Sequence, residues 1–271
     1  MTTHIETRHG ELAIDVRGSG TPFILLHSGG HDRHDFDAIV PALARRFQTV
    51  AIDLLGHGES LRDTHVTATK ICEAVEDVVV ALRLPPALVM GNSVGGMAAL
   101  HVASHRPDTV RGLVLVSPSG MIDRNAIVRA LCWVQGREWI RRHTGMAFAR
   151  SYLKVRNEHT EALLARMTER RKDPQFIAME AALWRSFGDA SSDYAERARG
   201  VRVPTALVWG RRDPVIRARV EGVRARAIMP RASWIELDAG HVPFVETPTA
   251  FLDAIEPFLR AHVAPAAATG V

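Results

Sequence analysis

The feature that most constrains the fold of this chain is a regular alternation between short apolar runs and segments of helical period. A continuous apolar run of strand length indicates a strand buried on both faces, as in a parallel sheet covered by helices. The strand-length runs are residues 22–26, 49–52, 87–90, 112–116, 205–209 and 233–237. One intervening segment has its apolar residues spaced to form a single helix face, at Ile71, Val75, Val78, Val79 and Leu82. The alternation predicts an α/β fold with a doubly wound, mostly parallel sheet.

The beginning of the chain has a different pattern. Leu12, Ile14 and Val16 alternate with polar neighbours, and a turn signal at His9-Gly10 separates them from the first residues. Alternation of period two is typical of a strand with one buried face. We therefore expect an antiparallel hairpin at one edge of the sheet.

The alternation breaks after Val116, where more than 80 residues contain several amphipathic stretches and no clear strand. This break predicts a helical cap inserted at residues 121–198. The core domain would then comprise residues 1–120 and 199–263. Residues 264–271 lack the apolar surface needed to pack, so we expect a flexible tail there.

Composition excludes several classes of protein. With 46% hydrophobic and 24% charged residues, the 271-residue chain can bury a full core, which excludes wholesale disorder and fibrous structure. Only Cys72 and Cys132 are present, without a CxxC motif, so neither a disulfide scaffold nor a zinc ribbon is expected. Without a secretory signal or an apolar segment of about 18 residues, the chain is expected to be cytoplasmic and to lack a membrane span.

The net charge of +4 is concentrated in one segment. Residues 121–200 contain 15 basic and 10 acidic residues, whereas the rest of the chain contains 19 and 20. If the basic residues of this segment form one surface, that surface can attract anionic substrates. Its arginines are dispersed without interleaved aromatic residues, so solvated helix faces are the simpler interpretation, and nucleic-acid binding is not expected.

The most informative short motif is GNSVGG at residues 91–96, which follows an apolar run and precedes a helical segment. Gly-x-Ser-x-Gly between a strand and a helix is typical of a turn that holds a nucleophilic serine in a strained conformation. Side chains at Gly91 and Gly95 would collide across such a turn. The motif lacks the signatures of a phosphate-binding P-loop and of a dinucleotide fold. It therefore predicts Ser93 as a nucleophile.

A serine nucleophile needs a base, and that base needs an orienting acid. His241 lies between the last predicted strand and the last predicted helix, and Asp213 follows a predicted strand. Asp238 and Asp123 remain alternative acids. Asp213 is preferred because it lies at the end of its own strand. The order serine, aspartate, histidine differs from that of chymotrypsin-like and subtilisin-like chains.

These residues resemble the motifs of the α/β-hydrolase superfamily, over nearly the full chain apart from the cap and tail. The matching segments are HSGG at 27–30, DLLGHGES at 53–60, GNSVGG at 91–96, GRRDP at 210–214 and GHVPF at 240–244. The resemblance implies an α/β-hydrolase fold with an eight-stranded, mostly parallel sheet, helices on both faces and an inserted helical cap. It also implies an oxyanion hole formed by the backbone N–H groups of Val94 and Gly29, with Ser28 as a neighbouring candidate.

The resemblance implies hydrolysis of a carboxylic ester, thioester or lactone of a small acyl compound through a Ser93–His241–Asp213 triad and an acyl-enzyme. A serine at position 93 argues against haloalkane dehalogenase and epoxide hydrolase chemistry, because those relatives have an aspartate there. We expect a small-molecule substrate and no cofactor. The sequence leaves a monomer and a homodimer equally open.

Two other functions remain open. Asn92 resembles the elbow of hydrolases that cleave carbon–carbon bonds in vinylogous diketones, and a basic cap residue such as Arg185 would suit a substrate carboxylate. Against this activity, Val242, Pro243 and Phe244 follow His241 where those relatives usually carry a tryptophan. The third possibility is a ligand-binding receptor with this fold and little turnover.

Substrate contacts are expected between the cap and the sheet, because ligand sites favour such interfaces. The candidate substrate-binding residues are Ser28, Asn92, Trp133, Trp139, Trp184, Arg185 and Val242. The segment His31 to Asp35 contains two histidines and two aspartates, but their spacing does not match familiar metal-ligand patterns. We therefore predict no metal site there, and we interpret His57 as part of the scaffold.

Overall fold

The sheet of this protein has eight strands in the spatial order β1-β2-β4-β3-β5-β6-β7-β8. The computed structural model describes residues 2–262, so the predicted tail at 264–271 lies outside the described residues. The strands are β1 (Thr2–Ile5), β2 (Leu12–Arg17), β3 (Thr21–Leu26), β4 (Phe47–Ile52), β5 (Ala87–Asn92), β6 (Val110–Val116), β7 (Thr205–Gly210) and β8 (Ser233–Leu237).

The direction of the strands confirms the predicted architecture. Strands β1 and β2 form an antiparallel hairpin at one edge, and β2 is antiparallel to β4. From β4 to β8 every neighbouring pair is parallel. The six apolar runs and the hairpin predicted from the sequence all fall on strands of this mostly parallel sheet.

The helices connect these strands in chain order. They are α1 (Val40–Leu43), α2 (Ala68–Leu82), α3 (Val94–His105), α4 (Ala126–Gln135), α5 (Glu138–Tyr152), α6 (Glu158–Arg170), α7 (Pro174–Ser186), α8 (Ala195–Gly200), α9 (Val223–Ile228), α10 (Pro243–Glu246) and α11 (Pro248–His262). Short 3-10 turns lie at Arg33–Ala38, Pro107–Thr109 and Ala190–Ser192, and a π-helical turn lies at Ala218–Gly222. No helix within residues 2–262 is long and apolar enough to cross a membrane.

Each face of the sheet has its own apolar core. Along β5, Ala87 and Val89 belong to one core, whereas Leu88 and Met90 belong to the other. This division follows from the alternation of side chains along a strand. It also explains why the central strands are apolar throughout, since helices cover both faces.

The predicted apolar face of α2 is buried in the first of these cores. Ile71, Val75 and Val78 are inaccessible to solvent, and Leu82 packs partly against the same cluster. The hydroxyl of Thr67 caps the helix by accepting a hydrogen bond from the backbone N–H of Lys70, 3.1 Å away. The buried face of the helix therefore agrees with the sequence pattern, and Thr67 is a residue type that commonly caps a helix start.

Because the central strands are parallel, their carboxyl ends meet at one edge of the sheet. There β3 leads to Gly29, and β5 leads to Ser93. At the same edge β7 leads to Asp213, and β8 leads to His241. Four residues that are far apart in sequence thus converge where ligands bind in open α/β sheets.

Five helices, α4 to α8, lie between β6 and β7 and form the insert of this fold, residues 126–200. Ion pairs join α6 of the insert to the loop after β3. The Arg166 Nε atom lies 3.1 Å from Asp32 Oδ2, and its Nη2 atom lies 2.9 Å from Asp35 Oδ1. Arg170 also pairs with Asp32. Both aspartates are buried, so these contacts hold the insert against the carboxyl edge of the sheet.

Candidate active site

Ser93 occupies the turn between the end of β5 and the start of α3. Its backbone has φ 56° and ψ −114°, a conformation that L residues rarely adopt and that costs on the order of 1–3 kcal/mol. The turn is held by the N–H of Ser93, which donates to the Val116 carbonyl at 3.0 Å, and by its carbonyl, which accepts from the N–H of Ser119 at 2.9 Å. The strain is therefore balanced by hydrogen bonds to the neighbouring strand and loop.

The two glycines around Ser93 are required by space. A Cβ atom at Gly91 would lie 2.1 Å from the carbonyl oxygen of Gly95. A Cβ atom at Gly95 would lie 2.4 Å from the carbonyl oxygen of Leu26. Neither backbone oxygen can move away without disturbing the turn, so the motif found in the sequence has the steric basis expected of it.

His241 and Asp213 form a buried hydrogen-bonded pair. The His241 Nδ1 atom lies 2.7 Å from Asp213 Oδ2. The other carboxylate oxygen of Asp213 accepts from the N–H groups of Val215 at 2.8 Å and Ile216 at 3.1 Å. Because the carboxylate accepts the Nδ1 proton, Nε2 carries the lone pair needed by a general base.

The alternative acids lie elsewhere. Asp238 is 61% exposed and pairs with Arg211 and Arg212. Asp123 is 64% exposed and faces Arg224. Neither of them contacts His241 through a hydrogen bond in the described part of the chain.

Glu246 supports the loop that carries His241, a role that no sequence motif indicates. The buried carboxylate accepts from the N–H of Gly240 at 2.9 Å and from the N–H of Val242 at 3.1 Å, the two residues that flank His241. It also accepts from the N–H groups of Lys154 at 2.6 Å and Val155 at 3.0 Å, just after α5. Four backbone donors on one carboxylate fix the His241 loop against the insert.

Two more contacts hold His241 from the side of the sheet and from α5. The Asn92 Nδ2 atom donates to the His241 carbonyl at 3.1 Å and to the Val116 carbonyl at 3.0 Å. The N–H of His241 donates to the Tyr152 carbonyl at 3.0 Å. Asn92 is thus a buried support of the turn and the His241 loop.

The two predicted oxyanion donors are Val94, the first residue of α3 directly after Ser93, and Gly29, whose backbone packs near the Val94 side chain. A Cβ atom at Gly29 would lie 3.7 Å from Val94 Cγ1. Within residues 2–262, neither N–H donates a hydrogen bond to a protein atom. Two free donors next to a serine at the start of a helix are suited to a developing oxyanion.

Two buried histidines position the loop that contains Gly29. The N–H of Gly30 donates to His57 Nε2 at 2.9 Å, and the N–H of Leu54 donates to His27 Nε2 at 3.0 Å. Burial lowers the pKa of His57 to about 4 and holds the pKa of His27 well below its usual range. Both rings are therefore neutral at physiological pH, as an acceptor nitrogen requires.

A cavity of about 420 Å³ lies between the insert and the carboxyl edge of the sheet. Ser93 and His241 both line it, and no hydrogen bond joins the two side chains among the described residues. Such contacts are often long before a substrate binds. The other predicted residues that line the cavity are Ser28, Gly29 and Trp184.

The structure does not bring the remaining predicted substrate-binding residues to this cavity. Trp133 and Trp139 are 58% and 65% exposed, on the outer faces of α4 and α5. The exposed Arg185 donates to the Gly136 carbonyl, and Val242 is buried beneath the site. Sequence spacing does not say which face of an inserted helix turns inward, and the residues that do so include Arg141, Phe148, Tyr152 and Glu180.

One group of possible metal ligands lies away from the cavity. The ligand atoms of Glu76, His101 and His105 lie within 4.8 Å of one another. Glu76 is already paired with His101 at 2.8 Å and with the guanidinium of Arg106 at 2.7 Å. This arrangement is a satisfied ion-pair network on α2 and α3, and a guanidinium beside the carboxylate opposes a cation there.

Comparison with known proteins agrees with this fold. The family model described as "alpha/beta hydrolase fold" matches residues 21–248. The chain is 29% identical to a pimeloyl-[acyl-carrier protein] methyl ester esterase of Xanthomonas oryzae pv. oryzae, over 91% of this chain and 98% of that protein. It is 26% identical to a 2-hydroxy-6-oxo-6-(2'-aminophenyl)hexa-2,4-dienoic acid hydrolase of Metapseudomonas resinovorans, over 97% and 91%.

A solved structure with the same fold is that of a thermophilic esterase from Thermogutta terrifontis, with malate bound. Its TM-score is 0.82 at 22% sequence identity, and the match covers 97% of this chain and 100% of that one. At this identity the likeness concerns the fold.

Proposed function

This chain belongs to the alpha/beta hydrolase fold family, and from that premise we propose that it is a serine hydrolase acting on a carboxylic ester, thioester or lactone of a small acyl compound. The observation that carries the proposal is the 2.7 Å hydrogen bond between His241 and the buried Asp213, in a cavity that Ser93 also lines. A serine, a base and an orienting acid are the parts that acyl transfer requires.

In the proposed reaction, His241 Nε2 takes the proton of the Ser93 hydroxyl while Oγ bonds to the substrate carbonyl carbon. The carbonyl oxygen becomes an oxyanion, which the N–H groups of Val94 and Gly29 stabilise. The tetrahedral intermediate collapses, the bond to the leaving group breaks, and His241 returns the proton to the leaving oxygen or sulfur. The acyl group is then an ester of Ser93.

Water then hydrolyses the acyl-enzyme, with water as the nucleophile and Ser93 as the leaving group. His241 takes a proton from the water, whose oxygen attacks the acyl carbon, and the second oxyanion uses the same two donors. Collapse breaks the bond to Ser93 Oγ, which regains a proton from His241. The products are a carboxylic acid and a free enzyme, so no cofactor enters the balance.

One of the relatives supports ester hydrolysis. The relative of Xanthomonas oryzae pv. oryzae, whose name describes a methyl ester esterase, aligns over nearly its whole length. This supports a methyl or other small alkyl ester as the first substrate class to examine in this chain.

A second candidate is hydrolysis of a carbon–carbon bond in a vinylogous diketone. The relative of Metapseudomonas resinovorans, named as a hydrolase of a hydroxy-oxo-dienoic acid, aligns over 97% of this chain and supports this candidate. It is tested by loss of the dienoate chromophore of a meta-cleavage product, with Ser93→Ala as control. Turnover faster than that of any ester would replace the ester proposal.

The experiment that tests the main proposal is hydrolysis of p-nitrophenyl esters from acetate to octanoate by the wild type and by Ser93→Ala. We expect turnover with a chain-length optimum, and its loss in the variant while the circular dichroism spectrum is unchanged. Equal activity in the variant would refute Ser93 as the nucleophile. Binding of esters without turnover by the wild type would favour a receptor that keeps this fold.

A further inference from the structure

We infer that Arg141 binds a carboxylate of the substrate, so that the ester cleaved here carries a carboxylate distant from the scissile bond. The inference rests on the proposed function and names the substrate class of that cavity. Its basis is a buried guanidinium on the cavity wall whose contact with a carboxylate is long and whose Nε atom has no partner among residues 2–262.

Arg141 lies on α5 and lines the cavity, although its side chain is only 3% exposed. Its Nη1 atom donates to Gln135 Oε1 at 2.8 Å, and its Nη2 atom makes a long contact of 3.5 Å with Glu180 Oε1. Within residues 2–262, its Nε atom has no hydrogen-bond partner. A buried donor without an acceptor costs roughly 1–3 kcal/mol, more on a charged group, and such an atom calls for a partner.

Glu180 is already neutralised by a different arginine. The guanidinium of Arg171 pairs closely with Glu180 Oε2, and it also donates to the backbone carbonyl of Arg141. Glu180 and Arg171 are both almost inaccessible to solvent. Because Arg171 makes the closer ion pair with Glu180, Arg141 is the second cation beside this one carboxylate.

Among residues 2–262, Glu180 is the only carboxylate that forms an ion pair with Arg141. The buried carboxylates of Asp32 and Asp35 pair instead with Arg166 and Arg170 of α6. The charge of Arg141 is therefore only partly balanced by its protein neighbours.

The environment of Arg141 makes this charge effective toward a ligand. Its guanidinium carbon lies 5.3 Å from the centre of the Phe148 ring and 5.6 Å from that of Trp184, and both rings line the same cavity. Aromatic walls exclude water, so a charge-assisted hydrogen bond is stronger there than at an exposed arginine. The one positive charge of Arg141 matches a carboxylate, which carries one negative charge, better than a phosphate dianion.

The test compares two series of substrates with the wild type. One contains monomethyl esters of straight-chain dicarboxylic acids from glutaric to suberic acid, and the other contains methyl esters of monocarboxylic acids of equal length. We expect kcat/KM to be on the order of 10- to 100-fold higher for the best carboxylate ester, as a charged hydrogen bond implies. Stronger product inhibition by the matching dicarboxylate than by the monocarboxylate should accompany it.

Arg141→Met should abolish this preference while hydrolysis of the neutral esters changes less than about threefold, and Arg141→Lys should keep part of it. The matched control is Arg142→Met, because Arg142 is the next residue of the same helix and is exposed. None of these variants changes Arg171 or Glu180, so we expect that pair to be retained. If Arg141→Met does not fold, the wild-type comparison of the two ester series and of the two inhibitors still decides the question.

Failure of the inference is distinct from failure of the proposed function. Ser93-dependent hydrolysis of both ester series without a preference, or a preference that Arg141→Met retains, would overturn the inference and leave the hydrolase proposal standing. If no ester is cleaved, calorimetric measurement of adipate binding to the wild type and to Arg141→Met tests whether the carboxylate site exists. Binding that Arg141→Met weakens at least tenfold would support the carboxylate site, and equal or absent binding would overturn it.

Discussion

The imidazole of His57 accepts a 2.9 Å hydrogen bond from the backbone N–H of Gly30, the residue after the proposed oxyanion donor Gly29. Its other nitrogen, Nδ1, donates to the Leu55 carbonyl at 2.9 Å. The contact in which Nε2 accepts needs a neutral ring, and burial lowers the pKa of His57 to about 4. The loop that carries Gly29 is therefore held by a histidine that resists protonation.

This relationship predicts an acid-sensitive stability. Below pH 6.5 the unfolded chain binds a proton at position 57 that the native chain excludes until about pH 4, so acidification favours unfolding over this window. The loss at this position should reach about 2 kcal/mol of unfolding free energy between pH 7 and pH 4.5. Urea unfolding of the wild type and His57→Gln across this range measures it.

His57→Gln is expected to be less stable than the wild type at pH 7, with a difference that shrinks by about 2 kcal/mol at pH 4.5. His27, whose pKa is also lowered by burial, is present in both proteins and cancels in the comparison. Stability curves that remain parallel from pH 7 to pH 4.5 would show that His57 does not contribute to the acid sensitivity.

Removing the charge of Glu246 should impair turnover, although this side chain does not line the cavity. In Glu246→Gln, one acceptor oxygen becomes an NH₂ group that faces backbone N–H donors, so the loop around His241 loses its anchor. We expect kcat to fall at least tenfold with KM within about twofold, and the unfolding free energy to fall by about 2 kcal/mol. The control is Glu236→Gln, an exposed glutamate on β8. Similar kinetics in both variants would refute the positioning role.

Asp213 and Asp238 offer a matched pair of substitutions for assigning the acid. Asp213→Asn should lower kcat by about 10⁴-fold, because the amide favours the wrong tautomer of His241. Asp238→Asn should remain within about twofold of the wild type, since that carboxylate is exposed and paired with two arginines. Steady-state kinetics on one ester decides between them, and a mild effect at Asp213 with a severe one at Asp238 would reverse the assignment.

Much of this fold follows from local sequence patterns. The continuous apolar runs form central strands, because these strands are buried on both faces of the sheet. The GNSVGG motif forms a strained turn, because its two glycines leave space for backbone atoms that a side chain would displace. The pairing of His241 with Asp213 was predictable from their positions after two strands, although 28 residues separate them.

Other features depend on contacts that no local pattern records. The proposed roles of Glu246 and Arg141 depend on contacts between distant elements, of Glu246 with the backbone after α5 and of Arg141 with Glu180 on α7. An isolated glutamate or arginine in sequence suggests only a solvated surface. Trp133 and Trp139 show the converse, since aromatic residues predicted in a pocket lie on outer helix faces. Hydrophobic periodicity predicts that a segment is helical, but it does not show which face of that helix a neighbouring element covers.

The most direct test of the account is to identify the residue that forms the covalent intermediate. A fluorophosphonate ester transfers its phosphonyl group to an activated serine with loss of fluoride, and peptide mass spectrometry locates the new bond to oxygen. We predict one adduct per chain, on Ser93, that is absent from Ser93→Ala and forms far more slowly in Asp213→Asn. An active wild type that is modified at another residue, or that hydrolyses esters while Ser93 stays unmodified, would contradict the account.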